Sequence, residues 1–372
     1  MKLLYIANKR LPTEKAYGLQ IVAMCKAFAR TGAEVKLVAP SRRGPQGDDV
    51  LSYYDASGFT FSRVRTPEFY PGGIFERPAF WVRQLLSAKL LAWHVWRSDA
   101  HIVYTRDEGV AILVALGKRV VLEMHSYSAH RRPLYLLLRL FGVRLVCITQ
   151  GLADRFSAAG FPSDRILVAP DGVDLAPYEE ALPRSEARRR VHLSADMPIA
   201  LYAGHLYDWK GAHVLAEATP KIDGIVVFVG GTDADVASFK SKYGHIPNIM
   251  LVGHRPHGEI SDWLRAADVL VLPNTGEREI SRLYTSPLKM FEYMASGVPI
   301  VASDLPSIRE VLNDGAAVLM PPGDSDALAD AVNGIFKNPA SAKERAKKAR
   351  QEVSRYTWLA RARHIVEFIE ST

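Results

Sequence analysis

The 372-residue sequence contains little cysteine and no long apolar run. Its two cysteines, Cys25 and Cys147, each lie in an apolar stretch typical of a protein core. Such usage suits a reducing cytosol and argues against a secreted scaffold held by disulfides. The apolar run at residues 1–7 is too short for a signal peptide, and no stretch approaches the roughly 18 apolar residues of a membrane helix. We therefore expect a cytoplasmic protein that does not cross a membrane.

Several short motifs of known chemistry are also missing. No Cys/His cluster has zinc spacing, no Gly-x-Gly-x-x-Gly follows the first strand of either half, and no P-loop is present. Two Asp-x-Asp pairs, Asp233 with Asp235 and Asp324 with Asp326, are candidate ligands for a divalent metal. Each pair lies where a helix is predicted to start, so helix capping is the favoured interpretation. The sequence predicts no metal site.

The net charge of +7 is unevenly placed. Residues 1–175 hold 24 Lys and Arg against 15 Asp and Glu, whereas residues 176–372 hold 23 against 25. A basic first half suggests an anionic partner or a membrane surface, although an ordinary soluble surface explains the charge as well. The arginine-rich run at 184–190 is expected to be a solvated linker helix rather than a nucleic-acid patch. No nucleic-acid partner is expected.

The length favours two domains, because a single core stops growing at about 250–300 residues. A strand at 2–7, a helix at 19–30 and a strand at 35–39 form a βαβ unit, while residues 41–79 are expected to be irregular. Further strands are predicted at 102–104, 120–123, 143–148, 166–168, 199–203, 225–229, 249–251, 269–272, 298–302 and 317–320. Helices are predicted at 325–337, 340–355 and 357–370. We expect an α/β protein with two Rossmann-like domains in tandem, joined near 175–195.

Two amphipathic stretches lie in the basic half. Residues 78–96 carry Trp81, Trp93 and Trp96, and residues 131–141 combine arginines with leucines. The second stretch is either an interfacial helix or, as is more common, a domain helix whose arginines reach out to water. Together with the charge, these stretches motivate the hypothesis that the protein is peripheral on the inner membrane face.

The most informative stretch is 284–303, where a loop, a short helix and a buried strand are predicted. Ser286 suits the N-cap, Pro287 the first helical position, and Gly297 the position after the helix. Lys289 then falls in the first turn, where the helix dipole disfavours a cation by about 0.3–1 kcal/mol. An anion bound over the helix start would remove that conflict.

Other residues near strand ends extend this candidate site. Glu292, one turn after Lys289, could accept hydrogen bonds from a vicinal diol such as a ribose, or the two could form an ordinary surface pair. The turn from Gly204 to Gly211 follows a strand of the same predicted sheet, and Lys210 would reach a phosphate there. The carboxyl ends of parallel strands are where such sheets bind ligands.

The first half offers weaker candidates. His125 follows the strand at 120–123, with Glu123 and Arg106 in similar positions, although a single histidine is usually structural. Gly18 opens the first helix, where its backbone N–H could meet an incoming phosphate.

These residues resemble the retaining glycosyltransferases of family four. The resemblance rests on five segments: Tyr-x-Gly-x-Leu-x-x-x-Lys-Gly ending at 211, Ser-Pro-Leu-Lys-x-Phe-Glu-Tyr-Met-Ala-x-Gly-x-Pro-Ile-Val-Ala-Ser at 286–303, Val-Ala-Pro-Asp-Gly-Val-Asp at 168–174, Tyr-Thr-Trp at 356–358, and Pro-Thr-Glu-Lys-Ala-Tyr-Gly-Leu-Gln at 12–20. It implies a GT-B fold with two Rossmann-like domains facing across a cleft. Residues 1–175 would bind the acceptor, 176–355 the nucleotide-sugar donor, and 356–372 would form a helix that crosses back to the first domain.

The resemblance also implies roles for individual residues. Lys210 and Lys289 would neutralise the diphosphate, Glu292 would hold the ribose, and His125 would touch the donor sugar. The remaining donor contacts would come from Gly18, Gly204, His205, His254, Arg255, Tyr284, Ser286, Pro287 and Leu288. The implied reaction transfers a hexosyl unit from a UDP- or GDP-sugar to a saccharide or lipid-linked glycan, with retention and with neither metal nor cofactor.

Two departures from the family pattern affect these expectations. Tyr284 stands where the family has the first of two acids spaced eight residues apart, so the sugar preference is open, and Glu277 or Glu279 is a hypothetical substitute. His205 replaces a common arginine of the phosphate turn. Tyr284 keeps a non-catalytic nucleotide-binding protein as an alternative. A two-domain NAD-dependent oxidoreductase is a second alternative, which the missing glycine fingerprint disfavours.

Overall fold

The structure, a computed structural model, describes residues 1–42, 49–69, 71–180 and 182–371. Within these residues the chain forms two compact α/β units. Unit 1 contains Met1–Ile148, Leu152–Pro170 and the C-terminal segment from Trp358, and unit 2 contains Thr149–Gly151 and Asp171–Thr357. The units therefore divide a few residues away from the domain limits expected at 175 and 355.

A sheet of seven parallel strands forms the centre of unit 1. Its strands are β1 (Lys2–Ile6), β2 (Glu34–Pro40), β3 (Thr60–Val64), β4 (Ile102–Thr105), β5 (Arg119–Met124), β6 (Arg144–Cys147) and β7 (Ile166–Val168). They pair in the order β3-β2-β1-β4-β5-β6-β7. The direction of strand addition reverses between β1 and β4, which makes their carboxyl ends the switch point where doubly wound sheets bind ligands.

The helices of unit 1 cover the apolar strands, as an all-parallel sheet requires. They are α1 (Ala16–Arg30), α2 (Val50–Tyr53), α3 (Glu76–Trp96), α4 (Glu108–Val114), α5 (Arg132–Leu140) and α6 (Gln150–Ala158). Both cysteines are buried and free, as the sequence predicts. In the described ranges no helix is long and apolar enough to cross a membrane.

Unit 2 has a six-stranded parallel sheet of the same kind. Its strands are β8 (Ile199–Ala203), β9 (Ile225–Val229), β10 (Ile249–Gly253), β11 (Val269–Leu272), β12 (Ile300–Ser303) and β13 (Val318–Met320). Their order is β10-β9-β8-β11-β12-β13, so the switch point lies between β8 and β11. The helices are α7 (Arg184–Arg190), α8 (Ala212–Ala218), α9 (Asp233–Tyr243), α10 (Ile260–Ala266), α11 (Glu279–Leu283), α12 (Leu288–Ser296), α13 (Pro306–Arg309), α14 (Ser325–Lys337) and α15 (Pro339–Glu352).

The last helix, α16 (Trp358–Glu370), belongs to unit 1 rather than to the unit that precedes it in sequence. Its residues Ala362, Ile365 and Ile369 are buried in the same apolar cluster as Met24 and Phe28 of α1. Burial of this apolar face, worth about 25 cal/mol per Å², holds the helix in unit 1.

Several sequence-based expectations about local structure were wrong. Residues 41–79 are not irregular, since they include α2 and β3; residues 43–48 and 70 lie outside the described residues. β3 escaped prediction because it is an edge strand in which no side chain is fully buried. The strand expected at 298–302 begins instead at Ile300. The arginine-rich helix α7 is not a solvated linker, because Arg188 is 5% exposed and donates to Ala266 O and Asp268.

Candidate functional site

Two loops at the switch point of unit 2 are joined by direct contacts. The carbonyl of Trp209, in the loop after β8, accepts hydrogen bonds from Thr275 N at 3.2 Å and Ser281 Oγ at 3.3 Å, in the loop and helix after β11. Gly211 has φ +73°, and a methyl group there would lie 1.7 Å from Pro273 O. Only glycine fits this position, so the turn carrying Lys210 is fixed against the neighbouring loop.

Glycine backbone lines the adjacent part of the same sheet edge. Gly204, Gly230 and Gly253 end three neighbouring strands with φ values of +136°, +117° and +77°. Gly204 N donates to Val229 O, and Gly230 N donates to Gly253 O at 2.7 Å. Without side chains these residues leave room for close approach of a ligand to the backbone. Sequence reasoning missed Gly230, although the Gly-Gly pair after an apolar strand was a usable signal.

Lys289 lies in the first turn of α12, as predicted, with its amine buried. The residue is 9% exposed, and within the described structure its Nζ has no hydrogen-bond partner. The Nζ atom lies 3.6 Å from the centroid of the Tyr202 ring, and a methyl group on Gly204 would lie 3.7 Å from it. Burial, reinforced by the charge of Lys210, holds the pKa of Lys289 well below its usual value, against the opposing effect of Glu292. An unpaired buried amine of this kind is costly unless an anion meets it.

The start of α12 differs from the predicted capping. The helix begins at Leu288, so Pro287 is the N-cap and not the first helical residue, and no side chain caps it. The Ser286 hydroxyl instead accepts a hydrogen bond from Asp171 N at 2.9 Å and caps no backbone N–H of α12. Gly297 ends the helix with φ +71°, as predicted.

Lys210 and His205 occupy the loop after β8. The Lys210 Nζ lies 5.4 Å from the ring centroids of both Tyr207 and Trp209, and burial lowers the pKa of Lys210 to about 8. His205 stacks on Tyr207 with ring centroids 5.0 Å apart, and its Nδ1 lies 3.9 Å from Asp235 Oδ2. Two lysines of lowered pKa therefore share this sheet edge with an aromatic surface.

Glu292 lies one turn after Lys289, as predicted, and is partly enclosed. Its Oε1 lies 3.8 Å from His257 Nδ1, and its side chain is 17% exposed. Burial raises the pKa of Glu292, whereas His257 and Lys289 act in the opposite direction. The next residue, Tyr293, accepts a hydrogen bond from Ala203 N at 2.8 Å and so fixes α12 against the end of β8. His257 was not anticipated from the sequence.

The other residues predicted in unit 2 have varied surroundings. His254 and Arg255 are exposed after β10, with the Arg255 guanidinium 6.0 Å from the Trp263 ring. Tyr284 is 3% exposed at the end of α11, whereas Glu277 and Glu279 are exposed. Whether any of them contacts a donor stays a prediction.

Asn274 is a further residue that the sequence did not single out. It directly follows Pro273 after β11, is 1% exposed, and its Oδ1 has no hydrogen-bond partner within the described part of the chain.

In unit 1, the predicted His125 lies at the carboxyl end of β5 in contact with a buried carboxylate. His125 Nε2 lies 2.6 Å from Glu123 Oε1. Burial and the nearby Arg106 lower the pKa of His125 to about 4, so the imidazole is neutral at neutral pH. With Nε2–H donating to the carboxylate, Nδ1 is the hydrogen-bond acceptor of the ring.

Glu123 is held by donors from several elements. Gln20 and Arg106 contact Oε1 at 3.2 and 3.4 Å, whereas the Tyr104 hydroxyl and Arg361 Nη2 donate to Oε2, the latter at 3.0 Å. Burial alone would raise the pKa of Glu123, but Arg361, followed by His125 and Arg106, holds it well below its usual value. Sequence reasoning missed Arg361, which reaches this carboxylate from α16.

Gly18 does not open its helix, because α1 begins at Ala16. Its N–H already donates to Lys15 O at 2.9 Å, so the prediction of an N–H directed at a phosphate was wrong. A methyl group on Gly18 would lie 2.1 Å from the Tyr54 hydroxyl, and this close contact explains the glycine.

The two Asp-x-Asp pairs are capping residues, as predicted. Asp235 accepts from Thr232 N in a capping box, and Asp324 accepts from Asp326 N and Ala327 N. Outside the undescribed residues 43–48, 70, 181 and 372, no three His, Cys, Asp or Glu side chains form a group able to hold a metal ion.

Comparison with known proteins places the chain in a family. The model of Glycosyltransferase Family 4 matches residues 18–177, and that of Glycosyl transferases group 1 matches residues 197–338. Together the matches cover most of both units. The chain belongs to the family-four glycosyltransferases.

Relatives of this family-four protein share about 30% of the aligned residues. A phosphatidyl-myo-inositol mannosyltransferase of Mycobacterium leprae is 29% identical over 227 residues, which cover 59% of this chain and 57% of the relative. A putative teichuronic acid biosynthesis glycosyltransferase of Bacillus subtilis is 30% identical over 177 residues, 47% of this chain and 41% of the relative. The chain thus spans about half the length of the curated relatives it matches.

Solved structures show the GT-B fold. Anabaena HepE in complex with UDP has a TM-score of 0.76 at 17% identity, covering 100% of both chains. The sucrose-phosphate synthase of Thermosynechococcus elongatus has a TM-score of 0.78 at 18% identity, covering 100% of this chain and 98% of the other. The predicted α/β GT-B fold is confirmed, and family membership replaces the oxidoreductase alternative.

Proposed function

We propose that this family-four protein transfers a hexosyl unit from a UDP- or GDP-sugar to a saccharide or lipid-linked glycan, with retention and without a metal. The observation that carries the proposal is the buried Lys289 amine, which lacks a hydrogen-bond partner in the described structure and adjoins the Gly204 turn. A diphosphate would give this amine a charged partner and would accept hydrogen bonds from the free backbone N–H groups at the start of α12.

Lys210 would supply the second cation for the leaving group. Both lysines lie at the switch point of unit 2, where open α/β sheets bind nucleotides. Their pKa values are lowered in the protein without nucleotide, and a bound diphosphate would raise both by stabilising the ammonium forms. Fixed cations at the place where charge develops are the main catalytic contribution that this site offers.

Glu292 and the exposed pair His254 and Arg255 would hold the nucleoside. Glu292 lies one turn beyond Lys289 with its carboxylate near His257, and it would accept hydrogen bonds from the ribose hydroxyls. His254 and Arg255 follow β10 at the same edge and would lie beside the base. Gly204, His205, Ser286, Pro287 and Leu288 would frame the phosphates and the sugar.

In the proposed reaction, the bond between the sugar C1 and the diphosphate oxygen breaks while a bond forms from an acceptor hydroxyl to the same face of C1. The electron pair leaves with the diphosphate, whose charge Lys210 and Lys289 neutralise. The departing phosphate oxygen takes the proton of the acceptor hydroxyl. His125, neutral and oriented by Glu123, would accept a hydrogen bond from a donor-sugar hydroxyl through Nδ1.

A thermal-shift experiment with UDP, GDP, ADP and NAD tests the donor class. A nucleotide present at 100 times its dissociation constant adds about 2.7 kcal/mol to the unfolding free energy. We expect UDP or GDP to stabilise the protein and NAD to have no effect. Lys289→Met should remove the nucleotide shift, while the matched change at the exposed Lys240 should retain it. Stabilisation by NAD alone would overturn the proposal, and nucleotide binding without release of UDP or GDP from any donor would favour the non-catalytic alternative.

We also propose that unit 1 docks on an anionic lipid surface through α3. Large apolar side chains of this helix are exposed, among them Trp81 at 58%, Leu85 at 61% and Trp93 at 63%. Arginine and lysine side chains accompany them, including Arg77 and Lys89. Exposed tryptophans beside basic residues are typical of helices that lie in a lipid interface.

Sedimentation with vesicles tests this docking. Vesicles containing phosphatidylglycerol should bind the protein at low salt, and Trp81→Ser should reduce the bound fraction several-fold. Met197→Ser is the control, because Met197 is 45% exposed but lies in unit 2. Equal binding of the two variants, or binding to neutral phosphatidylcholine alone, would rule out α3 as an anionic-lipid surface.

A further inference from the structure

Basic side chains follow three neighbouring strands of the sheet in unit 1. Lys9 follows β1, Arg42 follows β2, and Arg106 follows β4, and these strands are adjacent in the order β2-β1-β4. The side chains therefore lie along one stretch of the carboxyl edge. Lys9 and Arg106 flank the switch point between β1 and β4, the place where a doubly wound sheet binds a ligand.

The two arginines are held in place by polar contacts. Arg42 Nη2 donates to Asn8 Oδ1 at 3.0 Å, to Gln84 Oε1 at 2.7 Å and to Ser87 Oγ at 3.3 Å. Arg106 Nε lies 3.4 Å from Glu123 Oε1, whereas its Nη1 is enclosed and has no hydrogen-bond partner in the described residues. The guanidinium of Arg106 thus keeps one donor available at the switch point.

Lys9 lies among these charges. Desolvation lowers the pKa of the Lys9 amine, Asp107 opposes that effect, and the charges of Arg106, Arg42 and Lys15 lower the pKa further. Like charges held this close destabilise one another. An anion bound among them would relieve the repulsion.

Two carboxylates of the described residues, Asp107 and Glu123, lie near the cluster. Asp107 accepts from Asn8 Nδ2 at 3.0 Å and from Val110 N at 2.8 Å, where it caps α4. Glu123 is shared between Arg361 and Arg106. Among the described side chains whose charges act on Lys9, one carboxylate, Asp107, faces Arg106, Arg42 and Lys15. Guanidinium groups held in this way suit the geometry of phosphate oxygens.

We infer that Lys9, Arg42 and Arg106 form a site for a phosphate group carried by the acceptor. This inference rests on the proposed transferase function and specifies its acceptor as an anionic one. The phosphate belongs either to a soluble sugar phosphate or to a lipid headgroup, and the cluster provides the same cations for both.

The test is a melting experiment with sodium phosphate against sodium chloride at equal ionic strength, without and with saturating UDP. Phosphate should raise the melting temperature of the wild type by several degrees in both series, and Lys9→Met should reduce that shift at least twofold. Lys9 is exposed, so its removal leaves the fold intact. Lys36→Met is the matched control, since Lys36 is an exposed lysine of β2 in the same unit and should keep the full shift. Lys9→Met should also melt slightly higher than the wild type without phosphate.

Two further arms distinguish the source of the phosphate. Glucose 6-phosphate should reproduce the phosphate shift, and glucose should not, if the acceptor is a sugar phosphate. If it is a lipid headgroup, Lys9→Met should sediment less than Lys36→Met with phosphatidylglycerol vesicles. Either result supports the site. A phosphate shift that is absent from the wild type, or equal in Lys9→Met and Lys36→Met, overturns it. Failure of this site and failure of the proposed function can be told apart. A protein that binds no nucleotide fails the UDP test, but its melting in phosphate without UDP still shows whether the site exists.

Discussion

The Nζ atom of Lys289 lies 3.6 Å from the centroid of the Tyr202 ring, and the hydroxyl of the same tyrosine donates to His205 O at 2.6 Å. One buried side chain therefore contacts both the lysine of α12 and the turn after β8. The ring face provides the amine with a cation–π contact in the absence of nucleotide. This contact is weaker than an ion pair, so it does not prevent the amine from binding an anion.

Replacing Lys289 by methionine should stabilise the protein in the absence of nucleotide. The change removes a buried amine that lacks a hydrogen bond in the described structure, at a site where such groups cost about 1–3 kcal/mol. Urea denaturation should show an increase of that order in the unfolding free energy, together with loss of UDP or GDP binding. A decrease in stability would mean that the amine has a structural role.

Nucleotide affinity should fall as the pH rises above about 8. Burial lowers the pKa of Lys210 to about 8, so the amine loses its proton between neutral pH and the usual lysine value of 10.5. Diphosphate binding requires the charged form and should take up a proton, which calorimetry in buffers of different ionisation enthalpy measures. Lys210→Met should flatten the pH dependence. If the nucleotide affinity of the wild type does not change between pH 7 and 9.5, this prediction is contradicted.

The stability of the protein without nucleotide should change with pH in the opposite sense. Because the folded-state pKa of Lys210 is depressed, the unfolded chain binds more protons between pH 8 and 10.5. The contribution of this residue to the unfolding free energy therefore rises with pH across that window. Comparison of wild type and Lys210→Met by urea denaturation at pH 7.5 and 10 isolates it, and the difference between the two proteins should shrink at the higher pH.

Replacing Glu123 by glutamine should be strongly destabilising. The change leaves Arg361, which is 4% exposed, without its buried carboxylate, and breaking such a pair costs about 3–5 kcal/mol. It also replaces the charged acceptor of His125 Nε2–H by a neutral amide oxygen, which weakens the hydrogen bond that orients the ring. Glu186→Gln is the control, since Glu186 pairs with Arg189 on the surface of α7, and it should change stability little. Equal melting of the two variants would show that Glu123 does not anchor unit 1.

Two glycines with nearly equal φ allow a matched test of the Lys210 turn. Gly297 has φ +71°, and a methyl group added there would have no atom within 4 Å, so Gly297→Ala should cost only the left-handed strain of about 1–2 kcal/mol. Gly211 at +73° would place its methyl group 1.7 Å from Pro273 O, so Gly211→Ala should cost distinctly more and should weaken nucleotide binding. Similar unfolding free energies for both variants would argue against close packing of the turn.

The sequence predicted those parts of the structure that local rules determine. Strands such as β8 and β9 were predicted with their observed limits because short continuous apolar runs are typical of buried parallel strands. The placement of Lys289 and Glu292 one turn apart followed from helical spacing. β3 was missed because its mixed composition does not predict a strand. It is a strand through its hydrogen-bonded pairing with β2.

Contacts between segments distant in sequence could not be predicted from local rules. Ser286 was expected to cap α12, but its hydroxyl bonds to Asp171 N, a residue 115 positions earlier. Arg361 reaches Glu123 over 238 positions, and no local pattern marks it as a partner. The proposed phosphate site likewise depends on the order of the strands, which places Arg42 and Arg106 beside Lys9.

The pairing of Arg361 with Glu123 has a consequence for how the protein is made. The seven strands of unit 1 are all synthesised by Val168, yet Arg361 and the apolar residues of α16 emerge only after the whole of unit 2. A unit 1 folded without α16 would leave the Glu123 carboxylate without the counter-ion Arg361. Unit 1 acquires its final core only after the whole of unit 2 has been synthesised.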